Sequence, residues 1–272
     1  MEVGRLKILF SDMDGTLIDH NLSISDKNIE MMKELKKQGH LIALCTGRNL
    51  METRQITDYI DFPFDYLVLN NGGHILNKHY ETLYEKTIEK NVGIDILNHT
   101  TSYEGMWSFF CDGHVNYGYK DGITINHGDI NKTLIDIHFE EAYENADHFQ
   151  IIAFNQDDEG IEHAKICFDY IQQHYGDYVE AYFNTHYVDV VPSGCSKGSG
   201  VKQLLTLMDE SVDEVYAIGD SYNDLSMIQV ADFGYTFHHA HDDIKKETPH
   251  HVHYVYEVIE EMLGGKDNEL AR

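Results

Sequence analysis

The sequence predicts an α/β fold: a Rossmann-like, doubly wound parallel sheet with an inserted α+β unit. Three observations predict it. Short apolar runs alternate with helix-periodic segments at both ends of the chain. Each run stops at a polar turn, as strands of a buried parallel sheet do. Between the two ends the pattern lapses for about 100 residues, enough for a domain with its own core, and then resumes.

Leu6 to Phe10 is the first buried strand, stopping at Ser11-Asp12. A helix follows, capped by Ser25 or Asp26, with Ile29, Met32 and Leu35 at helical spacing until Gly39. Leu41 to Cys45 is the second strand, ending at Thr46-Gly47-Arg48, and a periodic segment leads on to Pro63. Tyr66 to Leu69 is the third, running into the turn Asn70-Asn71-Gly72-Gly73. Short connections between such elements imply parallel strands with helices on both faces, and ligands at the strands' carboxyl ends.

The middle of the chain shows strand character over Met106–Tyr119 and Phe149–Phe154, a helix over 160–175, and helical runs around Asp95–Tyr103 and Glu140–Asp147. The α/β pattern returns with a helix over Ser196–Leu207, a strand Val215–Ile218 ending at Gly219-Asp220, and a helix over Asn223–Gln229. A strand over Phe233–Phe237 and a final helix over Val255–Leu263 complete it. The expected division is therefore a discontinuous core of residues 1–84 and 186–272 around an insert of residues 85–185.

With 47 acidic against 20 basic residues, the formal charge is −27. Such a surface repels nucleic-acid backbones and anionic lipid heads, so neither is an expected partner. No apolar run approaches the ~20 residues that span a bilayer. Cys45, Cys111, Cys167 and Cys195 are scattered and form no C-x-x-C pair, which argues against a disulfide scaffold or zinc knuckle. Met1 to Phe10 lacks a cleavage pattern, and the expected place is the cytoplasm.

The first strand delivers Asp12-Met13-Asp14-Gly15-Thr16-Leu17. Two acids two positions apart repel one another unless a cation offsets them, and Mg²⁺ suits hard oxygen ligands. Gly15 permits a tight turn that brings both side chains to one spot. Thr46 and Gly47 offer a hydroxyl and backbone N–H groups to an anion, if they do not simply cap a helix. Lys197, at the start of a helix, opposes the helix dipole and is better placed to meet a phosphate. The run Gly219-Asp220-Ser221-Tyr222-Asn223-Asp224 adds two acids and an amide that can complete a metal's coordination. Each fragment alone reads as an ordinary turn; four in one sheet do not.

In this order and spacing, D-M-D-G-T-L, T-G-R, the lone Lys and G-D-S-Y-N-D resemble the haloacid dehalogenase-like phosphatases, and the insert is similar to the cap of their Cof-type branch. The resemblance implies an Mg²⁺-dependent phosphatase of small phosphorylated metabolites, such as sugar phosphates. Asp12 would be the nucleophile, forming an aspartyl-phosphate, and Asp14 the general acid and base. Thr46 and Lys197 would hold the phosphoryl oxygens, with Asn71 near them. Mg²⁺ would be held by the Asp12 carboxylate, the Asp14 carbonyl and Asp220, with Asp224 and Asn223 orienting waters or Lys197. A phosphotransferase or mutase on the same scaffold, and a non-catalytic binder of phosphorylated ligands, are the alternatives.

The chain departs from the family at Phe237-His238-His239-Ala240, where relatives carry a Gly-Asn-Ala-like turn. Six His fall between 238 and 253; such a tract can bind transition metals, but it reads more simply as a half-exposed strand and a helix (Asp242–Lys246) with their turns. Tyr103, Trp107, Phe109, Phe110 and Tyr117 are expected mostly in the insert's core. Asp189 sits where relatives carry an acid that helps the cap meet the core.

Overall fold

Lys7–Ser11 forms a strand in which four consecutive side chains are buried, although alternate residues point to opposite faces. Both faces of the sheet are therefore covered at this strand. Leu41–Cys45 and Glu214–Ile218 show the same pattern. These two strands flank Lys7–Ser11, both parallel to it. The computed structural model describes residues 5–19, 22–60, 62–129, 131–156, 161–184 and 187–264. It divides into one unit of Met1–Thr46, Ile60–Leu83 and Ser196–Arg272, and a second of Gly47–Tyr59 and Tyr84–Cys195.

In the first unit the sheet runs, in spatial order, His250–Val252, Phe233–Phe237, Glu214–Ile218, Lys7–Ser11, Leu41–Cys45, Tyr66–Leu69, His74–Asn77 and Thr82–Glu85. The first six are mutually parallel, and His74–Asn77 turns back antiparallel to Tyr66–Leu69. Counted along the chain, the order climbs outward on either side of Lys7–Ser11. It reverses between Lys7–Ser11 and Glu214–Ile218, the position where open α/β sheets bind ligands. Helix Asp26–Lys37 begins where Ser25 accepts a hydrogen bond from the Asn28 N–H, and it buries Asn28, Met32 and Leu35.

The second unit is built on a six-stranded antiparallel sheet in the order Val179–Asn184, Tyr187–Pro192, Ile151–Gln156, Met106–Cys111, Asn116–Lys120 and Ile123–Asn126. Helices Lys90–Thr101, Phe139–Asn145 and Glu162–Tyr175 supply Leu97, Tyr143 and Ile171 to a core that also holds Phe110, Phe149 and Phe154.

The α/β class and an inserted α+β body are as the sequence predicts, but several elements differ. The strand character over Met106–Tyr119 is a hairpin, interrupted at 112–115. That over Phe149–Phe154 breaks at Gln150, so His148–Phe149 pairs with Ile88–Glu89 while Ile151–Gln156 joins the large sheet. Asn223–Gln229 becomes a 3₁₀ turn, Tyr222–Asp224, followed by helix Leu225–Val230. Gly160, where the third helix of the insert was expected to begin, lies outside the described residues; the observed helix starts at Glu162. Of the insert's aromatics, Phe110 is in the core with Tyr103 and Tyr117 packed on it. Trp107 and Phe109 alternate onto the other face of the same strand, stacked with centroids 5.8 Å apart.

Candidate active site

Asp12 follows directly on strand Lys7–Ser11, its backbone N–H donating to the Ile218 carbonyl at 3.0 Å. Asp220 leaves the neighbouring strand two residues past Ile218, so the two acids meet where the strand order reverses. Together with Asp224 they offer carboxylate oxygens within 4.8 Å of one another, the one such acidic, His or Cys group of three among the described residues. The chain turns sharply at Gly15, whose φ is +77°; a Cβ there would lie 2.8 Å from Asp220 Oδ2. Only glycine leaves that side of the cluster open. The Thr16 hydroxyl donates to Asp220 Oδ1 at 2.8 Å and the Ser221 hydroxyl to Oδ2 at 3.3 Å.

Lys197 is the first residue of helix Lys197–Leu207, behind a Ser196–Ser199 capping box. Its side chain is 2% exposed, and Nζ donates to Asp12 Oδ1 at 2.6 Å and to Asp224 Oδ1 at 2.5 Å. A cation at a helix N-terminus faces the wrong end of the dipole. Burial would also strip its charge, but Asp12 and then Asp224 overcome this and hold Lys197 above its ordinary range. Asp224 is fully buried, and its second oxygen accepts the backbone N–H groups of Asp220 at 3.0 Å and Ser221 at 2.8 Å. It thus fixes both the lysine and the turn that carries Asp220.

Three carboxylates against one ammonium leave the cluster two negative charges in excess. Burial first, and then the charge of Asp224, push Asp12 well above its ordinary value of 3.8, with Lys197 opposing. Asp220 is raised as well, by burial and then by Asp224. A hard divalent cation relieves this repulsion, and the donor set of carboxylate oxygens beside the open side at Gly15 fits one.

The sequence expected Asp12 and Asp14 to turn to one spot. Asp12 is buried, while the Asp14 side chain is exposed and stands outside the carboxylate group of Asp12, Asp220 and Asp224. The turn pairs Asp14 with Ile18, with the Gly15 N–H bonded to the Ile18 carbonyl at 3.0 Å.

Thr46 is buried at the end of strand Leu41–Cys45, its N–H bonded to the Val68 carbonyl. It caps no helix: in the second unit, which begins at Gly47, helix Leu50–Thr57 is capped by Asn49 with Glu52. The Asn71 N–H donates to the Thr46 carbonyl at 3.1 Å, and Asn223 donates its amide to Asn71 Oδ1 at 3.0 Å. These contacts join the Thr46, Asn71 and Asn223 turns. Asn70 and Asn71 both hold positive φ, 52° and 48°, a backbone costing of order 1–3 kcal/mol per residue and found mostly at functional sites. Gly72 follows at +94°; a Cβ there would sit 2.2 Å from the Ser196 carbonyl oxygen. This contact seats the turn against the helix that begins at Lys197.

Thr16, Ser221 and Asn70 were missed by sequence reasoning. Thr16 stands two residues beyond Asp14 and was legible from its hydroxyl alone. Asn70 is fully buried with both amide atoms unpartnered among the described residues, a signal only the fold exposes. In the second unit, Asp189 pairs across the sheet with Ala153 and Tyr182. A cavity of about 370 Å³ there, lined by Met51, Arg54, Asp58, Tyr59 and Asp129 among others, includes none of Asp12, Asp189, Asp220 or Asp224.

The sequence matches the haloacid dehalogenase-like hydrolase family over residues 9–258. It is 23% identical over 269 residues to a 5-amino-6-(5-phospho-D-ribitylamino)uracil phosphatase of Bacillus subtilis, covering 89% of this chain and 91% of the other. A haloacid dehalogenase-like hydrolase from Bacteroides thetaiotaomicron superposes with a TM-score of 0.76 at 23% identity, covering 95% of this chain and 100% of the other. A subclass IIB sugar phosphatase superposes at 0.74 with 19% identity, over 95% and 99% of the two chains.

Proposed function

The chain belongs to the haloacid dehalogenase-like hydrolases, in their Cof-type branch, and on that footing we propose that it is an Mg²⁺-dependent phosphatase of small phosphorylated metabolites, sugar phosphates foremost, working in the cytoplasm. The observation that carries this reading is the buried Lys197 bridging Asp12 and Asp224 beside Asp220. A lysine held charged next to a carboxylate gives that carboxylate a way to approach an anionic phosphate. The phosphatase names of similar proteins support the same reading.

Asp12 attacks phosphorus to form an aspartyl-phosphate, and the bond to the leaving oxygen breaks. Asp14, exposed beside it, gives that oxygen a proton; it then takes one from the water that hydrolyses the acyl-phosphate, releasing phosphate and restoring Asp12. Lys197 and Thr46, with the Gly47 N–H, hold the phosphoryl oxygens, and Asn71 and Asn223 brace that turn. Bound Mg²⁺ would be held by the Asp12 carboxylate, the Asp14 carbonyl and Asp220, and would supply positive charge against the phosphoryl oxygens. Asp224 keeps Lys197 and Asp220 in place. The inserted α+β body serves as the cap that selects the leaving group. Nucleic acid and membrane are not among the proposed partners. No described helix is long and apolar enough to cross a bilayer.

The test is phosphate release from an aryl phosphate and a sugar-phosphate panel, with Mg²⁺ and with excess chelator. Release that requires Mg²⁺ and disappears in Asp12→Asn is expected. Silence across the panel, or full activity in that variant, would overturn the reading and favour a transferase or a binding protein.

A further inference from the structure

The histidines after Phe237 acquire a meaning from strand register. Phe233–Phe237 and His250–Val252 run parallel with Phe237 opposite Val252, so the next residues, His238 and His253, come side by side. Their rings stand 4.3 Å apart between centroids. Strand alternation puts His251 on the same face as His253 and His250 on the other, where it leans on Tyr235. The His251 ring lies 5.9 Å from that of His238, edge to face.

Two further facts mark this as more than a surface cluster. His251 Nε2 lies 3.0 Å from the Lys245 carbonyl and 3.1 Å from that of Thr248. Carbonyls only accept, so Nε2 carries the proton and the lone pair of the neutral ring is on Nδ1. A ring nitrogen anchored on backbone carbonyls is how metal-ligating histidines are oriented. The backbones of the other two are also pinned: the His238 N–H donates to the Val252 carbonyl at 3.0 Å, and the His253 N–H to Glu257 Oε2 at 2.6 Å. Lys245 donates to the His238 carbonyl and is paired with Asp242 at 2.8 Å.

We propose that His238 and His253, with His251 as third donor, bind a divalent transition-metal ion such as Zn²⁺ or Ni²⁺ at the end of the Phe233–Phe237 and His250–Val252 strands. Imidazole nitrogens favour these ions over Mg²⁺, which the carboxylates around Asp12 suit instead, so the two sites differ in the ion they take. All three side chains are exposed; their ring nitrogens do not all lie within 4.8 Å of one another as the rings stand, so binding an ion requires the His238 and His253 rings to rotate.

The test is calorimetric titration of the full chain with Ni²⁺ and with Zn²⁺ in excess Mg²⁺, which keeps the carboxylate site occupied. One equivalent is expected to bind. His238→Asn and His253→Asn should each weaken it about tenfold or more, the scale on which even a ligand's orienting partner acts. His251→Asn should weaken it as well, and His250→Asn should leave it unchanged. Melting temperatures without added transition metal confirm that each variant is folded. Absence of binding, unchanged binding in the His238 and His253 variants, or an equal loss in His250→Asn would overturn the proposal.

Discussion

Lys197 Nζ sits between Asp12 Oδ1, at 2.6 Å, and Asp224 Oδ1, at 2.5 Å, with all three side chains almost fully withdrawn from solvent. One ammonium thus serves the proposed nucleophile and the acid that orders the Asp220 turn. Replacing it by Lys197→Met leaves two buried carboxylates facing each other unpaired. The expected cost is about 3–5 kcal/mol of stability, the scale for stripping one partner from a buried ion pair. Urea unfolding at neutral pH measures it, and phosphatase turnover should be lost with it.

The excess negative charge gives the metal-free protein a pH dependence of definite sign. Burial and Asp224 raise Asp12 well above its ordinary 3.8, so the native state holds this proton more tightly than the unfolded chain. The site's contribution is therefore fully present below that ordinary value and is lost as pH rises through the raised one. Bound Mg²⁺ would replace the proton as counter-charge. The melting-temperature gain on adding Mg²⁺ should accordingly be larger at pH 8 than at pH 5.5, and Asp12→Asn should flatten the difference.

Gly15 is where a single methyl group should act chiefly on the metal. The positive φ costs alanine about 1–2 kcal/mol, and its Cβ would meet Asp220 Oδ2 at 2.8 Å. Gly15→Ala should raise the Mg²⁺ concentration for half-maximal activity more than it lowers turnover at saturating Mg²⁺. A metal titration of activity separates the two.

In the second unit, Glu52 completes the cap of helix Leu50–Thr57 and bonds His127 Nδ1 at 2.9 Å. Burial works to raise Glu52, but His127's hydrogen bond and charge, with Arg48 and Asn116, hold it below 4.5. A depressed acid stabilises above its unfolded value and loses that contribution as pH falls through the folded one. Glu52→Gln should cost about 1 kcal/mol at neutral pH, the usual scale of a cap or a charged hydrogen bond. Denaturant melts should show the gap between the two proteins closing below pH 4.

The core was legible in the sequence because a parallel sheet buried on both faces writes itself as apolar runs, and each run ends at a site residue. Asp12, Thr46, Asn71 and Asp220 were readable for that reason. The insert was harder. In its antiparallel strands Val179–Asn184 and Tyr187–Pro192, half-buried polar residues such as Glu180 and Asp189 break the apolar signal. The exposure of Asp14 belongs to a five-residue turn closed by backbone pairing with Ile18, and the pairing of His238 with His253 depends on a register across two strands. Neither is a property of local sequence.

The central claim is that Asp12 becomes phosphorylated, and borohydride trapping tests it most directly. An acyl-phosphate on Asp12, reduced during turnover of a sugar phosphate with Mg²⁺, leaves homoserine at position 12. Peptide mass spectrometry should find it there, and only when substrate and Mg²⁺ are both present. Sustained turnover with Asp12 unmodified, or with the label on another residue, would contradict the account.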